Sequence, residues 1–464
     1  MLRKIDKEKW LYIFILLNPI FDLLSSLFNY WGFSYTPSTF LRPILPLIIL
    51  ICIFVTDKKI RKPLFISGLI YMVYALIHLY LYSGIRTGIS CGSVMHELQY
   101  LSNYTYLMFT LFSFIYVFDK HKKKLEDMVF YTAVFYISTI YIAIITRTSL
   151  PSYVEGTGFK GWFNTSGAVG SVLVISLFIL LPYLMKKNMK FIYKFLFIFL
   201  TVFYLCFLIG SRVGLIGSIL VAGFFVISNI IYYLIHNKKF NIGKYLPIII
   251  SSSIVLIVTF ILFGSYTLDR RKALNDITDK NIHIAYDLMD IKKKVDNHKV
   301  ADNYMSESQI KALNSLYDYA NKVKMPNVDL RRQQLVYNYY LYQYQDSLSL
   351  KLFGNGYLAN YSSLTLEMEG IALFFNFGII GFILFCIPFL SIFFYGIYIG
   401  IKRVKSIDVE YMMYVSGIFV SYVISTLAGH VYFNTSVMPA IIIIHLLLVL
   451  KIKELKESDV KWKK

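Results

Sequence analysis

Charge is what this sequence has least of. Only 16% of its 464 residues are Asp, Glu, Lys or Arg, whereas a soluble chain carries about 25%. Cysteine is sparse too: Cys52, Cys91, Cys206 and Cys386 are the full set, and no CxxC or zinc-type spacing joins them. Neither a disulfide framework nor a bound metal is therefore expected. Walker A, HExxH, GxSxG and Rossmann glycine patterns are all missing, so the common nucleotide-dependent and hydrolytic sites have no sequence support. The sequence also lacks internal repeats.

What is present is apolarity. Hydrophobic residues make up 57% of the chain, and the mean hydropathy is +0.58. Apolar segments cover residues 10–29, 40–56, 63–83, 100–118, 127–146, 165–185, 190–209, 213–235, 245–264, 370–400, 411–428 and 433–451. Each approaches the roughly 20 residues that cross a bilayer as a helix. The first is interrupted by Asn18-Pro19 and Asp22. The segment at 370–400 is long enough to tilt or project past the bilayer. The expected fold is an all-α polytopic membrane bundle of about twelve transmembrane helices, because lipid forbids unpaired backbone. Ions inside these segments look scarce, and Trp10–Leu27 reads as a retained first helix because no small-residue cleavage site follows it.

The formal charge of +20 does not indicate nucleic acid. The cations cluster in alternate short loops: Lys58, Lys59, Arg61 and Lys62, then Lys120, Lys122, Lys123 and Lys124. The loops between them hold little beyond Arg86, Arg147, Lys160 and Arg212. The positive-inside rule then places both termini in the cytoplasm. One loop is exceptional. Residues 265–369 connect helices nine and ten on the outer side, with nearly balanced charge. Ser306-Glu307-Ser308-Gln309 fits a capping box for a helix to about Val323. Pro326 ends it, and Asp329 can cap a second helix from Leu330 to about Gln345. Three parts result: helices one to nine (1–264), an extracytoplasmic helical loop (265–369), and helices ten to twelve with a tail (370–464).

Five clusters on the outer side carry candidate chemistry. Gly210-Ser211-Arg212-Val213-Gly214 joins helices seven and eight and holds Arg212 at the membrane edge, where a guanidinium suits a phosphate bidentately; a snorkelling anchor is the plainer alternative. Leu366-Glu367-Met368-Glu369-Gly370 puts two carboxylates at the mouth of helix ten, where partial desolvation favours a general base; acidic caps on a helix start are the plainer alternative. Arg331-Arg332 lie roughly 100° apart on a helix, so at most one faces a shared site; solvated surface charge is the plainer alternative. Trp162 and Asn164, in Gly161-Trp162-Phe163-Asn164-Thr165, suit a sugar, or else an interfacial aromatic belt. His430, in the turn before helix twelve, can donate to a phosphate or exchange a proton; an inert turn residue is the plainer alternative.

The order of these pieces resembles the O-antigen polymerase and ligase family, especially the capsular and exopolysaccharide repeat-unit polymerases. The likeness covers about residues 158–382: Gly161-Trp162-Phe163-Asn164, Gly210-Ser211-Arg212-x-Gly214, the large loop ending in Gly354-x-Gly356, and Glu367-Met368-Glu369 followed by Gly378-Ile379-Ile380-Gly381. Ligase-like relatives carry His-Asn where Glu367 stands. The text here resembles the Glu-Met-Asp form of the polymerase branch, with Glu369 in place of the Asp. An Arg usually precedes the Gly-x-Gly turn, and Arg331 or Arg332 is the candidate. The resemblance implies a class C glycosyltransferase-like fold and a metal-independent, cofactor-free membrane glycosyltransferase. Its expected partners are a polyprenyl-diphosphate-linked oligosaccharide donor and acceptor and membrane lipid, with the pathway's chain-length regulator and flippase as candidates and no nucleic acid. Glu367 and Arg212 would be catalytic; Arg331, Arg332, Glu369, His430, Trp162 and Asn164 would bind substrate. The expected place is the bacterial cytoplasmic membrane, with the site facing outward. A ligase that delivers glycan to another acceptor and a twelve-helix transporter or flippase are the rival readings.

Overall fold

The structure is a computed structural model and describes residues 6–33, 37–85, 94–118, 122–153, 156–236, 307–325, 330–356, 366–429, 431–432 and 434–462. It is an all-α polytopic membrane protein, with no strand among the described residues. The helices are α1 Lys7–Tyr30, α2 Pro37–Thr56, α3 Lys58–Ile85, α4 Val94–Val117, α5 Lys122–Ile145, α6 Ser166–Lys186, α7 Phe191–Phe203, α8 Arg212–His236, α9 Glu307–Lys322, α10 Leu330–Tyr344, α11 Leu348–Phe353, α12 Glu369–Lys402, α13 Val409–Ala428 and α14 Met438–Trp462. Among the described residues, α1, α3, α5, α6, α7 with the turn after it, α8 and α12 are long and apolar enough to cross a membrane. The apolar segment expected at 245–264 lies outside the described residues, as do Ser306, Pro326 and Asp329.

Helix α6 is the centre. It is buried along almost its whole length, and its Phe178 meets Gly417 of α13 and Phe224 of α8. Ion pairs order the bundle ends. Lys186, at the end of α6, reaches Glu410 at the start of α13 at 2.6 Å. Lys451 of α14 meets Asp408 at 2.8 Å. Lys124 of α5 meets Glu8 of α1 at 3.2 Å. Alternate helix ends thus converge on one lysine-rich face. The opposite end collects the starts of α6 and α8, where a Cβ on Gly170 would lie 3.4 Å from Ser211 Oγ, and the end of α13.

Two helices depart from the sequence expectation. The segment at 190–209 is not one α-helix: its last turn, Tyr204–Leu208, is a π-helix, which realigns the chain just before Gly210. The long segment expected to tilt or project instead breaks at Gly378, at φ 69° and ψ −175°. The short helix α11 and the turn at 354–356 press on this break: Gly356 N–H donates to Asn376 O at 2.8 Å and Asn355 N–H to Phe375 O at 3.3 Å. A Cβ on Gly378 would lie 2.5 Å from both Gly354 N and Leu352 O, so only glycine permits the approach. Tyr74 of α3 donates to the freed carbonyl of Phe377 at 2.7 Å. His78 lies 2.7 Å from Phe353 O and 2.9 Å from Glu97 Oε1. Because a carbonyl only accepts, Nδ1 must carry a proton there.

The loop helices pair on their own small core, with Leu313, Leu316, Tyr337 and Leu341 buried together. Both fall where the caps and apolar period place them; α11 has no such signal.

The expectation that intramembrane ions are scarce is corrected. Asp22, Arg42, His78, Glu97, Glu126 and His445 are all buried among the helices. Arg42 pairs with Asp22, whose second oxygen accepts from Tyr136. Charges survive in an apolar interior only when paired and hydrogen-bonded, as Asp22 and Arg42 are.

Candidate functional site

The outer part of the site starts from α12. Leu366 is buried, and Glu367 N–H donates to Gln334 Oε1 of α10 at 3.2 Å. This bond docks the loop helix onto the entrance of α12. It places Arg331, one turn earlier on α10, against Glu367: Nε to Oε2 is 3.3 Å. Arg332 points elsewhere. Its guanidinium donates to Tyr319 Oη of α9 at 3.0 Å and stacks over that ring at 5.8 Å. Of the two arginines that the sequence leaves open, Arg331 therefore shares a site with Glu367. Both partners remain half-exposed.

Glu369 is two residues further on, and its setting is different. It is 2% exposed. Its Oε2 accepts from Val431 N–H at 2.8 Å and Tyr432 N–H at 2.6 Å, and its Oε1 accepts from Tyr104 Oη at 3.3 Å. These bonds tie the start of α12 to the turn between α13 and α14. The sequence reading gave Glu369 to substrate; the structure places it among backbone donors. The same turn brings Gly429, at φ 76°, so close that a Cβ would lie 3.0 Å from Glu367 O and 3.7 Å from Arg331 Nη2. His430 itself lies outside the described residues.

Arg212 belongs to the same end of the bundle. Helices α6 and α8 run side by side in the same direction, from the Gly170–Ser211 contact to the Phe178–Phe224 ring pair at 6.2 Å. Helix α13 runs against α6, because Lys186 meets Asp408 and Glu410 at the other end. Arg212 therefore stands at the end where α13 finishes and α12 begins. Ser211 Oγ accepts from Gly214 N–H at 3.1 Å and caps α8. Arg212 is exposed at that helix start, where backbone N–H groups and the macrodipole also favour an anion.

Trp162 and Asn164 sit in the link between α5 and α6. Trp162 Nε1 donates to Thr148 Oγ1 at 2.9 Å, and Asn164 is half-buried two residues before α6. The link lies on the Arg212 turn: Phe159 N–H donates to Leu208 O at 2.8 Å, and Tyr204 Oη to Phe159 O at 3.1 Å. Lys160 follows Phe159 in that pairing; the sequence reading counted it only as a loop charge. Partial burial lowers the pKa of Lys160. Among the described residues no group of His, Cys, Asp and Glu could hold a metal ion.

A half-exposed carboxylate beside a guanidinium, with further cations at the same membrane end, is the chemistry of a site for an anionic, hydroxyl-bearing substrate. The chain belongs to the family described as O-antigen ligase like membrane protein, which it matches over residues 5–455. This membership implies a glycosyl-transferring enzyme of a bacterial membrane that acts on lipid-linked polysaccharide. No curated protein and no solved structure matches the chain.

Proposed function

We propose that the protein is a polysaccharide polymerase that joins polyprenyl-diphosphate-linked repeat units at the outer face of the cytoplasmic membrane. The lysine-rich end of the bundle is the cytoplasmic one by the positive-inside rule, so the Arg331–Glu367 end faces outward. Glu367 takes the proton from an acceptor hydroxyl. The freed oxygen attacks the anomeric carbon of the donor sugar, and the bond from that carbon to the diphosphate oxygen breaks. The polyprenyl diphosphate leaves with the electron pair. Arg212 is the cation assigned to the departing diphosphate, where charge grows in the transition state. Arg331, 3.3 Å away, fixes the orientation of the Glu367 carboxylate. One displacement inverts the anomeric carbon, so a single catalytic carboxylate suffices, unlike the acid pair of a glycoside hydrolase. Trp162, Asn164 and Lys160 line the approach from the α5–α6 link.

The observation that carries this reading is the Arg331–Glu367 pair at 3.3 Å, docked at the membrane end that also holds Arg212. The test is Glu367→Ala and Arg212→Ala in cells that make the glycan. Each variant should lose long-chain polymer while protein level and lipid-linked single repeats persist. Normal chain length in either variant removes that residue from the mechanism. The ligase reading follows from the family description, and the carrier of the product separates the two: a polymerase leaves its product on the lipid diphosphate, while a ligase moves it to a different acceptor.

A further inference from the structure

Among the buried carboxylates that the proposed mechanism leaves unused, Glu369 and Asp22 end on one short segment. Residues 429–437 link α13 to α14 and press Gly429 against Glu367 and Arg331. Glu369 holds the first half of the segment through Val431 and Tyr432 N–H. Asp22 of α1 holds the second half, accepting from Ser436 Oγ at 2.5 Å. Its counter-ion Arg42 donates to Thr435 Oγ1 at 2.8 Å, and Asn18 Nδ2 donates to Ser436 O at 2.9 Å. A turn at a membrane face can satisfy its backbone with water, so it does not require two charges from the apolar interior. Burying them is costly unless they are paired and hydrogen-bonded, and here both carboxylates bond to this one turn.

We propose that Glu369 and Asp22 are positioning residues, a two-point clamp that holds the 429–437 turn as the wall against which the Arg331–Glu367 pair is set. The clamp rests on the polymerase reading for its choice of assay. It acts on turnover and not on substrate affinity, because neither carboxylate faces the substrate. Displacing reacting groups by about 1 Å costs about 100-fold in rate, and loss of one clamp point should approach that.

The test uses the full chain in lipid nanodiscs with a purified polyprenyl-diphosphate oligosaccharide, and reads kcat and KM on the monodisperse fraction. Glu369→Gln keeps a carbonyl acceptor for the two N–H groups. It should lower kcat roughly 10-fold while KM stays within about twofold, and Glu369→Ala should fall further, to roughly 100-fold. Ser436→Ala frees the turn from Asp22 without breaking the Asp22–Arg42 pair, and should lower kcat roughly 3- to 10-fold with KM unchanged. If Glu369→Gln does not yield monodisperse protein, Ser436→Ala decides alone. Wild-type kcat in Ser436→Ala, or in Glu369→Gln, overturns the clamp. So does a Glu369→Gln variant as inactive as Glu367→Gln, because Glu369 would then act in the chemistry itself. Full elongation by Glu367→Ala refutes the polymerase chemistry instead, and neither clamp variant enters that result.

Discussion

Replacing Arg331 and Arg332 one at a time gives the sharpest contrast the structure offers. The two are neighbours in sequence, with the same charge and the same helix, and differ only in what they face. Arg331 meets Glu367 at 3.3 Å with side chains 39% and 45% exposed. A pair that open to solvent contributes about 1 kcal/mol or less to stability, so Arg331→Ala should barely move the thermal unfolding midpoint. Its effect on turnover is of another order. Removing a preorganised charge beside the reacting groups costs roughly 100- to 1,000-fold, or about 3–4 kcal/mol of transition-state stabilisation. Arg332→Ala loses a stacked contact and one hydrogen bond to Tyr319 and should leave turnover within about threefold, in line with the modest worth of an exposed cation–π contact, about 0.5–1 kcal/mol. Arg331→Lys keeps the charge without the planar fork and should fall between. The assay is elongation of lipid-linked oligosaccharide by purified protein, with the product ladder read on a gel and unfolding followed in parallel. Equal losses from Arg331→Ala and Arg332→Ala, or near-normal turnover in Arg331→Ala, would refute the assignment of Arg331.

Three other outcomes follow from the geometry. Arg42→Ala leaves Asp22 charged and buried without its guanidinium, at a cost of about 3–5 kcal/mol; the paired change Arg42→Met with Asp22→Leu should recover much of that, measured by thermal unfolding in detergent. Gly378→Ala places a Cβ 2.5 Å from Gly354 N and Leu352 O at a positive φ; it should cost at least about 2 kcal/mol and release α11 from α12, visible as faster proteolysis in the 348–356 region. Lys160 has its pKa lowered by burial, so its charged form disfavours the fold at every pH below the folded-state pKa, and the penalty fades as pH rises towards the unfolded value. Lys160→Met should therefore raise the midpoint near neutral pH and lose that advantage in strong alkali, while raising KM for the diphosphate donor. A lower midpoint at neutral pH, with KM unchanged, would remove Lys160 from the approach to the site.

Helix placement was legible because two signals coincide at alternate boundaries. An apolar run near bilayer length stops where Lys58–Lys62, Lys120–Lys124 or Lys186–Lys190 begins, and desolvating an ammonium costs more than one further helical residue gains. The loop helices were legible for a different reason: a capping pattern followed by an apolar period marks a helix locally. The kink at Gly378 was not. A glycine in an apolar helix usually marks close packing, and nothing near it in sequence announces that α11 will lie across the break. The Asp22 network was hidden by distance along the chain. Tyr136 and Ser436 lie 114 and 414 residues from Asp22, beyond any periodicity. The one available clue was charge out of place: Asp22 and Arg42 each interrupt an apolar run, and an ion there requires a partner.

Glu367 and Glu369 show why the site itself was only half legible. In the sequence they are the same residue type, two positions apart, at the start of one helix, and any argument from composition or macrodipole treats them alike. Folding separates them because the helix starts between them. Glu369 is the first residue of α12 and turns inward to meet the backbone N–H groups of Val431 and Tyr432. Glu367 still precedes the helix, pinned by Gln334, and turns outward to Arg331. A carboxylate whose oxygens already accept backbone bonds in a buried pocket has no free face for an acceptor hydroxyl. A carboxylate with half its surface open, steadied by one guanidinium, does. Exchanging their settings would require moving the start of α12 by two residues, so one outward carboxylate and one inward anchor follow from where that helix begins.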